Sequence, residues 1–439
     1  MDILLLGIGL GVIAGLIPGV GVFTTLLFLY PILYDFSISD LFIFYIALVS
    51  TTQYMGSVSA TILAVPGESS SLPAVYEGHA MFRKGKGALA ISGAALGSLL
   101  GALVVLVLVY LASPLFSYIA YFFNSFVQSI VLFLILLLLI VSSKSKLVVI
   151  IPLCIFAWWL SSIGCDQFDC YVPVDYVDLY TGVPLLSVIC GIYVFPQLLV
   201  TIKDPSDQNF TQKPISLIYH ITHFIKNIHS ALRGTIIGFF LGFTPGSSMT
   251  VSSNTAYRVE LTAQKRKGTY EQGNYNSLVA AETANNSATL SNLLPLFLLG
   301  IPLSGSEVIF YDLISSKGFV FFRDFTYEFF SEVIVKNLLI INLIAFCIAW
   351  PFARYIKIFA QVPYNLMRVF IFFLICFILF YVGSQFYQSF YYLLTFLLLL
   401  PIGYLLRNQD TLPFIFIFIL QDRFYSLGNT LLDHSYSLF

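Results

Sequence analysis

The sequence predicts an all-α polytopic membrane protein, with about 10–12 membrane segments in two pseudo-symmetric, inverted repeats that contain broken or re-entrant helices. Three observations predict it. The 439 residues are 58% hydrophobic and only 10% charged, against about 25% charged in a soluble domain. Runs such as Ile91–Ala112, Val127–Val141, Val183–Val200, Ile334–Trp350 and Phe390–Leu406 approach the ~20 apolar residues that cross a bilayer. Finally, Pro and Gly interrupt the apolar runs in pairs. The first half has GLIPG at Gly15–Gly19 and AVPGESSS at Ala64–Ser71; the second has GFTPG at Gly242–Gly246 and LGIPLSGS at Leu299–Ser306. Backbone at membrane depth must be hydrogen-bonded, so breaks are tolerated only where they are buried in protein or line a cavity. The lipid bilayer is therefore the expected surrounding. A net charge of −1 offers no basic surface for nucleic acid.

In chain order, the segment at 3–33 opens Met-Asp, lacks a basic n-region and runs into GLIPG. It reads as a membrane element and not as a cleaved signal peptide. Further segments follow at about 41–66, 88–112, 117–141, 147–163 and 181–202. Within the polar stretch 203–232, Ile218, Ile221, Phe224, Ile225, Ile228 and Leu232 recur at helical spacing. This reads as an amphipathic helix on the inner membrane surface. His220 and His223 on it have no third metal ligand nearby, and a solvated helix face accounts for them. The second half supplies segments at about 233–257, 277–303, 331–353, 365–382, 386–406 and 411–428. The division is thus a first membrane repeat at 1–202, a cytoplasmic linker at 203–232 and a second membrane repeat at 233–439. Cys154, Cys190, Cys347 and Cys376 lie in apolar runs and read as packing residues. Cys165 and Cys170 flank a short polar loop, where a disulfide forms only in an oxidising compartment.

Loop charge orients the chain, with Lys and Arg favouring the cytoplasm. Arg83, Lys84 and Lys86 form one cluster, Lys144 and Lys146 another, and Lys203, Lys213 and Lys226 a third. The loop from Gly164 to Tyr180 carries Asp166, Asp169, Asp175 and Asp178 without Lys or Arg. Six crossings with the N-terminus inside satisfy this. Simple alternation then misplaces Arg258, Lys265, Arg266 and Lys267 outside, followed by Arg354, Lys357, Arg368 and Arg407. The conflict disappears if 233–257 is re-entrant around Pro245.

The breaks also align as an internal repeat. Gly15, Pro18 and Gly19 superpose on Gly242, Pro245 and Gly246; Pro66 answers to Pro302, and Tyr76-Glu77 to Tyr311-Asp312 with a one-residue shift. The spacing between breaks differs by nine residues, consistent with an insertion after Arg258.

Polar residues gather at these breaks. The stretch Gln53–Thr61 is rich in small and hydroxyl residues, suited to close helix packing or to solvating a ligand. After Pro66, Gly67, Glu68, Ser69, Ser70 and Ser71 would place free N–H groups at a restarting helix, an anion site. Glu68 could instead hold a cation, carry a proton or turn away to Arg83 or Lys84. Glu282, Asn285 and Asn286 enter an apolar run, where buried amides require partners. They could ligate a cation, cap a helix or bond two helices. Ser247, Ser248, Thr250, Ser252, Ser253 and Asn254 follow Pro245.

These motifs carry a family resemblance. YMGSVSATILAVPGESSSLPAVYEGHAMFRKGKGALAISGAALGSLLGAL, GFTPGSSMTVSSNTAYRVE and AAETANNSATLSNLLPLFLLGIP together resemble the large membrane subunit of tripartite tricarboxylate transporters, the TctA family. The resemblance covers most of the chain and weakens over the last hundred residues. It implies a multi-pass permease of a prokaryotic plasma (inner) membrane. It also implies a small membrane subunit, a periplasmic substrate-binding protein that delivers a carboxylate, and uptake driven by an ion gradient. The chain departs from the family pattern at Glu68, where a small or hydroxyl residue is usual, and at Pro302-Leu303, where Pro-Gly is usual. The Pro-Gly-Pro after Gly318 is missing.

The expectation is a secondary active transporter for a small organic anion, a di- or tricarboxylate, driven by Na⁺ or H⁺ with alternating access. Gly19, Ser57, Ser59, Gly67, Ser69 and Ser70 from the first half, and Gly246, Ser247, Asn285, Asn286 and Ser304 from the second, are the expected substrate contacts. Glu68, Asn254 and Glu282 are the expected ion-coupling groups. No catalytic residues, bound metal or cofactor is expected. A channel or scaffold using the same re-entrant segments is the alternative. An enzyme is disfavoured because HExxH is absent and the His residues lie outside the polar clusters.

Overall fold

The computed structural model describes residues 2–17, 21–64, 68–121, 125–143, 145–165, 170–174, 176–195, 217–266, 268, 271–352, 364–385, 387–407, 409 and 411–421. The first half contains α1 (Asp2–Leu16), α2 (Gly21–Leu33) and α3 (Ile38–Leu63). A 3₁₀ turn at Ser69–Ser71 and a π turn at Ala74–Gly78 lead into α4 (His79–Arg83). Four helices follow: α5 (Gly87–Tyr121), α6 (Ser125–Ser142), α7 (Leu147–Ser161) and α8 (Leu185–Ile189). The second half begins with α9 (Leu217–Lys226), α10 (Ile228–Leu241) and α11 (Ser248–Arg266), then α12 (Tyr275–Leu299) and α13 (Gly305–Ser315). After short turns between Phe321 and Val335 come α14 (Lys336–Phe352), α15 (Tyr364–Gln385), α16 (Ser389–Leu406) and a helix at Leu412–Gln421. Ile38–Leu63, Gly87–Leu111, Tyr327–Pro351 and Ser389–Leu406 are long and apolar enough to cross a membrane.

The first break in each half is the tip of a helical hairpin. Gly7, Gly11 and Gly15 stand four apart on α1 and face α3: a Cβ on Gly7 would lie 2.7 Å from Ala47, one on Gly11 2.8 Å from Thr51, and one on Gly15 2.6 Å from the Thr52 carbonyl. Contact partners rise with residue number, so α1 and α3 are parallel. On α10, Gly234, Gly238 and Gly242 meet the Ala280, Ala284 and Ala288 carbonyls of α12 in the same way. Bare glycine faces allow backbones to approach where any side chain would clash. The return arms run back along the same path. Ser248 Oγ, at the start of α11, donates to Asn292 deep in α12 at 3.1 Å. Glu260, near its end, pairs at 2.6 Å with Arg233 at the start of α10. Thus the start of α10 and the end of α11 lie at the same end of the hairpin.

The two long inner helices, α3 and α12, cross antiparallel. The Phe42 and Phe297 rings lie 5.2 Å apart, Asn285 bonds Gln53, Glu282 bonds Ser57, and Leu278 clusters with Ala60. The second breaks fold back from the ends of these helices. Ala64 (φ 54°) and Gly300 (φ 64°) end α3 and α12 in the left-handed conformation. That conformation suits Gly and strains Ala. The fold-back carries Glu68 to within 3.0 Å of Gln53 and Glu307 to within 2.6 Å of Asn292. Each pair is separated by 15 residues in sequence.

The halves also grip one another. Tyr30 on α2 donates to Asp312 on α13 at 2.6 Å, and Tyr257 on α11 donates to Glu77 beside α4 at 3.0 Å. Glu77 further accepts the N–H groups of Gly273 and Asn274, both at 2.7 Å. Outside this interior, the peripheral helices expose Leu111, Val141, Val148 and Leu405, as a lipid-facing surface requires.

Four sequence expectations change. The N-terminus lies on the face opposite the Arg83–Lys86 loop. The reason is that α1 is parallel to α3 and packs on its first turns, whereas the end of α3 leads toward that loop. The segments expected at 88–112 and 117–141 divide later, because α5 continues to Tyr121. The amphipathic helix expected within 203–232 is interrupted at Asn227, so Ile228 and Leu232 belong to the hairpin arm α10. His220 is not a solvated residue. It is 3% exposed, with its ring 4.9 Å from that of Trp350. Burial, followed by the neighbouring His223, holds its imidazole below the usual range. Among the described residues, no group of three His, Cys, Asp or Glu could hold a metal ion. Cys165 stands opposite Cys170 in a two-residue antiparallel pair and is disulfide-bonded.

Candidate functional site

The interior site lies where α3 and α12 cross and the chain breaks converge. Its centre is Gln53, 2% exposed. Gln53 Nε2 donates to Glu68 Oε2 at 3.0 Å and lies 3.6 Å from Met249 Sδ. Its Oε1 accepts from Asn285 Nδ2 at 2.9 Å and from Ser70 Oγ at 3.4 Å. One side chain therefore touches the second break of the first half, the return arm α11 and the central helix α12.

Two carboxylates flank this hub. Glu68 Oε1 accepts the Val22 N–H at 3.2 Å, which uses an amide left free at the start of α2. Lys84, one alternative partner for Glu68, instead pairs with exposed Glu271 at 2.8 Å. Glu282 is fully buried and receives the Ser57 hydroxyl. Its Oε1 finds no partner among the described residues, nor does Asn285 Oδ1. Ser71, Ser252 and Ser253 hydroxyls are likewise buried without a partner among the described residues. Ser71 Oγ faces Gly56, where a Cβ would lie 3.0 Å away. Ser252 and Ser253 fall on α11 between the Ser248–Asn292 bond and the contact of Ala256 with Ala280 and Ala284. Buried polar atoms normally find partners, and these five lie on the elements that meet around Gln53: the Ser69–Ser71 turn, α11 and α12.

The structure thus brings together Ser57, Ser70, Glu68, Asn285 and Glu282. Other expected residues make different contacts. Ser59 donates to the Gly15 carbonyl at 3.1 Å and ties α3 to the end of α1. Asn286 reaches Ser98 on α5 at 2.7 Å, so the adjacent amides do bond helices together, through different neighbours. Asn254 donates to Thr250 on its own helix, and Ser247 is exposed. Gly246, with φ 100°, donates its N–H to the Leu303 carbonyl at 2.7 Å and joins the two second-half breaks. Ser304 caps α13 in a reciprocal capping box with Glu307. Gly19, Gly67 and the side chain of Ser69 lie outside the described residues.

Asn292 and Glu307 carry no expectation from the sequence; Gln53 enters only as the first residue of the stretch Gln53–Thr61, and Glu77 only through the repeat alignment. The available signal was an isolated amide in a helix followed by a carboxylate fifteen residues later, in both halves.

The chain is 27% identical over 299 residues to an uncharacterised 52.8 kDa protein in the TAR-I ttuC′ 3′ region of Agrobacterium vitis, covering 67% of this chain and 60% of that protein. This chain therefore matches less than two thirds of that relative's length. No solved structure matches. A sequence model described as "Tripartite tricarboxylate transporter TctA family" matches residues 2–417; with nearly its whole length matched, the chain belongs to the tripartite tricarboxylate transporter TctA family.

Proposed function

We propose that the chain is a secondary active permease for a small organic anion, a di- or tricarboxylate, driven by a Na⁺ or H⁺ gradient with alternating access. The observation that carries this reading is the interior group of buried polar atoms without partners: Ser71, Ser252 and Ser253 hydroxyls, Asn285 Oδ1 and Glu282 Oε1. Hydroxyls suit carboxylate oxygens. The carboxylate and amide oxygens suit a cation, and Ser57, Ser70 and Glu68 complete the site. Gly19, Gly67, Ser69, Gly246 and Ser304 remain proposed contacts at the breaks.

Two inverted repeats, 1–202 and 233–439, joined by the linker 203–232, account for the antiparallel crossing of α3 and α12 and the matching glycine faces. By loop charge, the face carrying Arg83–Lys86, Lys226 and Lys265 is cytoplasmic. The α1–α2 hairpin then enters from outside and α10–α11 from inside. A prokaryotic inner membrane, a small membrane subunit and a periplasmic binding protein belong to the same proposal.

The test is uptake of radiolabelled di- and tricarboxylates into proteoliposomes, with Na⁺ and proton gradients imposed separately. The expected result is saturable accumulation that requires one gradient. Conductance without saturation would favour a channel. No accumulation of any carboxylate by folded protein would refute the permease reading. For topology, a cysteine placed at Asp2 should be labelled from outside and one at Lys265 from inside.

A further inference from the structure

We propose that Gln53 is a positioning residue that relays the hydrogen-bonding polarity of Glu68 to Asn285, and so decides whether Asn285 is held through its donor or through its acceptor. The geometry is a directed line. A backbone N–H can only donate, and the Val22 N–H occupies Glu68 Oε1. Glu68 Oε2 accepts from Gln53 Nε2. Gln53 must therefore offer Oε1 at its other end, where Asn285 Nδ2 donates. Asn285 is left showing Oδ1, which has no donor among the described residues. Glu282, one turn earlier on the same helix, also has an oxygen without a donor there. Carboxamides are well suited to such a relay, since each carries a donor and an acceptor on opposite sides. Chains of hydrogen bonds in a low-dielectric interior also reinforce one another.

The line can be reversed at its source. In Glu68→Gln the Val22 N–H still requires an oxygen, so the new amide must turn its nitrogen toward Gln53. Gln53 then offers Oε1 to that nitrogen and Nε2 to Asn285. Asn285 accepts with Oδ1, and its Nδ2 is released from Gln53. Ser70, which now donates to Gln53 Oε1, is a hydroxyl and can reverse its role.

This predicts a specific rescue. Asn285→Asp places an acceptor against Gln53 Oε1, so uptake should fall about tenfold or more, the scale of one opposed buried hydrogen bond. Adding Glu68→Gln reverses Gln53 and should return uptake to within about threefold of the Glu68→Gln single variant. In a Gln53→Leu background the rescue should vanish, because no side chain connects the two positions. Simple charge compensation would rescue in both backgrounds, and that result would overturn the relay. An unimpaired Asn285→Asp variant, or no rescue with Gln53 present, would also overturn it. The uptake readout rests on the permease reading. The same cycle is therefore run on the melting temperature of the purified full-length protein without solute, where the pattern should repeat. Rescue of melting temperature without carboxylate uptake in any variant would sink the permease reading and leave the relay intact; its absence would sink the relay alone.

Discussion

The second breaks of the two halves end in carboxylates that share a position and differ in their wiring. Glu307 is 1% exposed and is held within its own half, by Asn292 Nδ2 and by the Leu303 and Ser304 N–H groups. Glu68 is half-buried and reaches outward, to the start of α2 and to Gln53. Gln53 in turn contacts the other half through Asn285 and Met249. The same fold-back therefore has a closed tip in the second half and a connected tip in the first. A carboxylate satisfied by its own backbone locks local structure. One held by side chains on other elements can pass a change between them.

The comparison is easiest to break at Glu307. Glu307→Leu strips the acceptor from three buried donors, each costing about 1–3 kcal/mol when left unsatisfied. The expected outcome is loss of folded protein in size-exclusion and melting assays. Glu68→Leu, with fewer and less buried donors, should melt within about 2 kcal/mol of wild type while uptake collapses. Equal destabilisation of both variants would erase the distinction between the tips.

The hairpins offer the next test. A side chain at Gly238 meets a backbone carbonyl and the Ser287 Cβ; at Gly11 it meets the Thr51 side chain and the Leu48 carbonyl. Gly238→Val and Gly11→Val should each lose about 1–3 kcal/mol or more. Gly9, with nothing within 4 Å of its Cβ position, should tolerate Ala without loss. Matching losses at Gly11 and Gly238 would sharpen the equivalence of the two hairpins.

A smaller effect is expected where the halves grip each other. Tyr30→Phe removes its hydrogen bond to Asp312 and Tyr257→Phe its hydrogen bond to Glu77, at about 1 kcal/mol per bond. Melting temperatures should fall similarly, and a large difference would show that the two grips are not equivalent. Least of all, Ser247→Ala should change neither melting nor uptake measurably, because that side chain is exposed and away from the polar centre; a tenfold uptake loss would return it to the site.

Much of this was legible in the sequence. The breaks at Gly15–Gly19 and Gly242–Gly246 were visible, and the basic residues after Arg258 pointed to re-entrance at the second of them. The same logic was not applied to α1–α2, because the charges near that end do not conflict with a crossing. Only the parallel packing of α1 on α3 places its start opposite the basic loops. The glycine faces at Gly7–Gly15 and Gly234–Gly242 were readable at four-residue spacing and extend the aligned breaks by two positions each. The polar clusters are visible in the sequence, but their members cannot be sorted there. Ser57 and Ser59 lie two apart, yet one meets Glu282 and the other the Gly15 carbonyl. Asn285 and Asn286 are adjacent, yet turn to different helices.

By itself the sequence determined that the chain is a membrane protein, that its apolar runs break in pairs, and that polar residues collect at those breaks. Composition and periodicity are local properties, and hydrophobicity alone dictates where the chain meets lipid. Tertiary structure decided which polar side chains face one another. That choice depends on the rotation and depth of α3 against α12, set by close packing of small residues across elements distant in sequence. Gln53 carries no motif, and its place at the centre follows from that packing alone.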